Sequence, residues 1–136
     1  MNRDNAEAIA SGKKTVEFRE CKPFYGSRIF DKRVMAWRVA HADDTCISDD
    51  EFQYADPVRQ VRRIHFYDTA KTFTLDVSVK ETGLMTYTEE DMQFLHSLGC
   101  YEMDGNYAIL NSEDVPLEER PVEFFFVIDR ILSSSF

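Results

Sequence analysis

At 136 residues, 43% of them hydrophobic, the chain is long enough for one core, so residues 1–136 are expected to form a single domain. A net charge of −9 disfavours non-specific coating of nucleic acid, and no apolar run approaches the length of a membrane span. Met1–Asn5 lacks a signal-peptide core, and Cys21, Cys46 and Cys100 form no CxxC pair; together they point to a reduced, cytoplasmic setting with no metal site.

The first predicted element is a short helix over residues 5–11, capped by Asn5 or Asp4 and closed by Gly12. Ile9 is its one large apolar residue, so it must dock on a sheet. A strand over Lys14–Glu20 follows. Its alternation puts Val16 and Phe18 on one face with Lys14, and Glu17 and Arg19 on the other with Thr15. Pro23 then breaks the chain, and Ser27 is read as the cap of one helix running to about His41, with Phe30, Val34 and Trp37 as its buried stripe. Ala42–Pro57, rich in aspartate, reads as an acidic loop without calcium-loop spacing.

A hairpin comes next. Phe73, Leu75, Val77 and Val79 alternate with polar residues, and Ile64 and Phe66 face inward on the preceding strand. With residues 68–71 as the loop, Tyr67 opposes Thr72 and Arg63 forms a cross-strand ion pair with Asp76. Thr88 and Asp91 form a capping-box pattern opening a helix that ends at Gly99, with Met92 and Leu95 on its core side. Asp104-Gly105 favours a turn, so Tyr101–Leu110 reads as a small hairpin or loop. Val115–Pro121 is an acidic linker, and Val122–Leu132 a central strand. Strands with few, segregated helices argue an α+β or barrel-with-helices architecture.

The chemistry concentrates at residues 12–19, where glycine, lysine, glutamate and arginine stand in the spacing G-x-K-x-x-E-x-R. Residues 1–41 carry nine Lys/Arg against five acids, whereas the remainder holds seven against twenty, so the basic segment is the one with the motif. Gly12 can turn the chain so that Lys14 swings over the strand edge, beside the Glu17–Arg19 pair. Lys14 and Arg19 could grip a phosphate or carbonyl oxygen, while Glu17 accepts from an amine or hydroxyl. Phe24 and Tyr25 offer stacking. Arg28 joins the site if its helix leans over Lys14; otherwise it pairs with solvent. The bland alternative is a solvated ion pair beside a turn.

Gly12, Lys14, Glu17 and Arg19 resemble the signature of the activating-signal cointegrator homology (ASCH) domain family, best over residues 5–35. The resemblance implies a PUA-like β-barrel with flanking helices and binding of RNA or a nucleotide-like small molecule, with no cofactor. It also raises a small hydrolase, a ribonuclease or modified-nucleoside amidohydrolase, using Lys14 and Glu17. The amidohydrolase pattern places a threonine nucleophile three residues after the lysine, where this chain has Glu17. Family members also carry an apolar strand before the first helix, which this chain lacks, so one barrel edge is expected to be open or filled by another segment. A third possibility is a protein-interaction module whose acidic surface, Asp43–Asp56, meets a basic partner.

Overall fold

The computed structural model describes residues 1–41 and 57–136. It is an α+β fold built on a curled four-stranded antiparallel sheet. Helix α1 (Arg3–Ala10) leads into strand β1 (Val16–Glu20); α2 (Pro23–Ile29) and α3 (Lys32–His41) follow. Then come β2 (Arg63–Tyr67), β3 (Thr74–Met85), α4 (Glu89–Ser97), α5 (Asp104–Ser112) and β4 (Glu123–Ser134). The sheet order is β1-β4-β3-β2, which puts the apolar run Phe124–Ile128 in an interior strand, as its composition predicts, and leaves β1 on an edge.

The sheet is buried on both faces. Val16, Phe18, Phe125 and Val127 share a cluster with Met85, Tyr87, and Met92 and Leu95 of α4. The opposite face holds Phe124 and Phe126 against Ile29 and Val58, while Ala6 and Ile9 of α1 pack on Phe66, Phe73, Leu75 and Val77. That docking is what an eight-residue helix with one large apolar side chain requires. Register shifts between Val79 and Glu81 and at two earlier points break the β3–β4 ladder. Such bulges bend a sheet and shift which residues face inward; here the set changes from Leu75 and Val77 to Thr82 and Leu84.

Several local expectations change. The cap of α1 is Asn2, whose side chain accepts the Asn5 N–H at 2.9 Å, rather than Asn5 or Asp4. Gly12 follows it at φ +80°, a conformation open to glycine at little cost. The single helix from Ser27 is instead two. Phe30 leaves helical geometry to form a bridge with Val58, and Asp31 restarts the chain by accepting the N–H groups of Arg33 and Val34. Phe30, Val34 and Trp37 therefore do not form one continuous stripe.

The hairpin register slips by two residues, pairing Tyr67 with Thr74 and His65 with Asp76. The Asp68 carboxylate holds the N–H and hydroxyl of Thr72, keeping Thr72 in the loop, and Lys71 turns at φ +55°. A two-residue slip preserves which face is buried, so Phe66, Leu75 and Val77 stay inside. It replaces the expected Arg63–Asp76 pair by His65 Nδ1 to Asp76 Oδ1 at 2.6 Å. Tyr101–Leu110 is neither hairpin nor loop: Asp104 opens α5, and Tyr107 and Leu110, one turn apart, pack on the core. Thr88 does cap α4 through the Asp91 N–H, and Gly99 ends it at φ +74°.

Candidate functional site

The motif begins at the turn made by Gly12 and ends inside β1. Glu17 lies on the face of β1 opposite Val16 and Phe18 and pairs across the sheet with Phe126. It is only 2% exposed. A carboxylate in such a position requires compensation, and it comes from both sides. Lys14 Nζ lies 3.3 Å and Arg19 Nη1 3.4 Å from Glu17 Oε1. The Phe18 N–H donates to the same oxygen at 3.0 Å. Lys14 shares alternation with Val16 and Phe18, yet it precedes β1, and its long side chain brings the ammonium across to Glu17.

One hydrogen bond and two ion pairs therefore converge on Oε1. Among the described residues Oε2 has no hydrogen-bond partner although it is buried. A native buried carboxylate oxygen without a partner is uncommon and marks a place where a donor is wanted. Arg19 also donates through Nη1 to the Phe18 carbonyl at 3.1 Å, so the outward peptide groups of Phe18 are met by side chains of their own strand.

Two cavities meet at this group. The first, about 510 Å³, is polar, with Lys14, Arg19, Glu17, Glu20, Glu102 and Glu123 among its walls. The second, about 470 Å³, runs toward β2 and is lined largely by apolar and aromatic side chains, including Ile29, Ile64, Phe66 and Phe126. Met1, Glu17, Arg19 and Tyr25 line both, forming the shared wall. Arg28 lines the apolar cavity only and is exposed. Gly12 lines neither and serves the turn. The side chain of Phe24 and the acidic stretch Asp43–Asp56 lie outside the described residues.

Other segments contribute what the motif does not show. Glu102, just beyond Gly99, places Oε1 3.4 Å from Lys14 Nζ. Glu123, at the start of β4, accepts from the Tyr87 hydroxyl at 3.1 Å. Burial, reinforced by the nearby carboxylates of Glu20 and Glu102, pushes the Glu123 carboxyl above the usual range; the Tyr87 hydrogen bond opposes this. Burial likewise raises the Cys100 thiol, so it presents no activated nucleophile. Thr15 turns its hydroxyl toward the Leu98 carbonyl at 3.5 Å. Among the described residues no group of three or more His, Cys, Asp or Glu side chains could hold a metal ion, and no helix is long and apolar enough to cross a membrane.

No protein family, no curated protein and no solved structure matches this chain.

Proposed function

We propose that this is an ASCH-like domain with a PUA-like half-barrel that binds RNA or a nucleotide-like ligand in the cleft around Gly12, Lys14, Glu17 and Arg19. The observation that carries the reading is the buried Glu17, held by two cations through one oxygen while its other oxygen lacks a partner among the described residues. Arg19 supplies a donor fork beside that acceptor, and Tyr25 supplies a ring at the junction of a polar and an apolar cavity. Edge hydrogen bonds combined with stacking are how single bases are commonly read.

Calorimetric titration with ribonucleosides, their 5′-monophosphates and short RNAs tests this. At least one should bind, and Lys14→Ala or Arg19→Ala should weaken it tenfold or more, roughly one charge-assisted hydrogen bond, with an unchanged circular-dichroism spectrum. Absence of binding across the panel overturns the proposal. The hydrolase reading uses the same Lys14–Glu17 contact and would show as product from the short RNAs or from an acylated nucleoside added to the panel. It ranks second because the Thr15 hydroxyl, the nearest alcohol in the motif, is engaged with Leu98.

A further inference from the structure

The balance of donors and acceptors in the cleft narrows the ligand class, given the binding role proposed above. Both motif cations already face anionic or carbonyl oxygens: Lys14 reaches Glu17 and Glu102, and Arg19 reaches Glu17 and the Phe18 carbonyl. The cleft group without a hydrogen-bond partner among the described residues is an acceptor, Glu17 Oε2. Carboxylates of Glu17, Glu20, Glu102 and Glu123 share the polar cavity with Lys14, Arg19 and Lys22. A phosphate entering there would compete with carboxylates already paired to the cations and would meet the others as like charges. It would also leave Glu17 Oε2 without a donor.

We infer that the cleft takes an uncharged planar edge with a hydrogen-bond donor beside an acceptor, as on a nucleobase or free nucleoside, and excludes phosphate. The donor pairs with Glu17 Oε2 and the acceptor with the Arg19 guanidinium, which among the described residues is engaged through Nη1. The ring lies toward Tyr25 and the apolar cavity, whose walls of Ile29, Ile64 and Phe126 suit an unsolvated face. Burial raises the Glu123 carboxyl, and the carboxylates of Glu20 and Glu102 add to the shift.

The test is a titration of cytidine, uridine, adenosine and guanosine against their 5′-monophosphates and inorganic phosphate, at two salt concentrations. A nucleoside should bind at least about tenfold more tightly than its monophosphate, since like-charge contacts across an interface are costly, and its affinity should change little with salt. Glu20→Gln with Glu102→Gln should narrow that gap by strengthening monophosphate binding, whereas Glu17→Gln should weaken the nucleoside roughly tenfold or more. If monophosphates or phosphate bind as tightly as nucleosides, or if RNA binds while nucleosides do not, this inference is overturned and the binding role stands. Silence from every probe overturns both.

Discussion

Gly83 lies opposite Phe125 across the β3–β4 ladder so closely that a Cβ at position 83 would sit 2.4 Å from Phe125 Cζ. The ring cannot retreat easily. It is buried and makes a tilted contact with Phe94 of α4, ring centroids 5.5 Å apart. Glycine is weak in strands, and here close approach by an aromatic ring explains it. Gly83→Ala should destabilise the domain by about 1–3 kcal/mol, the usual cost of overpacking, measured by urea denaturation. Adding Phe125→Leu should recover part of the loss; full additivity of the two would show that they do not interact.

Much of this frame is legible in the sequence, and the reasons for the rest are physical. Alternation places Val16, Phe18, Leu75 and Val77 inside because strand period is local. Thr88 and Gly99 bracket α4 because caps are chemistry of adjacent residues. The break at Phe30 depends on Val58, and the hairpin register depends on the Asp68 side chain, so neither follows from hydrophobic spacing. In the site, spacing suffices to bring Lys14, Glu17 and Arg19 together. Glu102 and Glu123 arrive from distant segments and carry no motif.

The carboxylate of Glu17 shares two cations, so removing one should be tolerated better than removing both. Lys14→Ala or Arg19→Ala alone should cost about 1–3 kcal/mol, and the double variant more than their sum, since it strands a buried charge. Thermal denaturation of the three proteins gives the coupling directly. Simple additivity would mean that the ion pairs act independently.

Asp31 should behave as a helix cap. Its Oδ1 accepts from the Arg33 N–H at 2.9 Å and the Val34 N–H at 3.3 Å. Asp31→Ala should lower stability by about 1 kcal/mol, with Asp31→Asn losing much less. Equal losses would shift the explanation to charge.

Acid should act on this protein through two groups of opposite sign. Hydrogen bonds from Ser133 and His65 hold the Asp76 carboxyl below its ordinary range. The unfolded chain binds that proton first, so the stability Asp76 contributes is present above about pH 4 and lost as pH falls through its folded value. Ser133→Ala should flatten the acid limb of a urea-midpoint profile.

Glu123 works the other way. Its folded carboxyl is raised by burial and neighbouring carboxylates, so the folded state holds the proton longer, and stability declines as pH rises from about 4.3 through the folded value. Glu123→Gln should therefore raise the urea midpoint at pH 7 and remove that decline, because the amide oxygen still accepts from Tyr87. A fall in midpoint at pH 7 would contradict it.

The side chains that meet the outward peptide groups of Phe18 also govern what can happen beside β1. A rim strand with vacant amides is a template for a neighbouring chain, and such templates promote uncontrolled association. Here the Glu17 carboxylate and Arg19 guanidinium already occupy both peptide groups of Phe18, so a passing strand cannot pair there. The same residues that shape the cleft thus hinder strand pairing at the middle of the β1 edge.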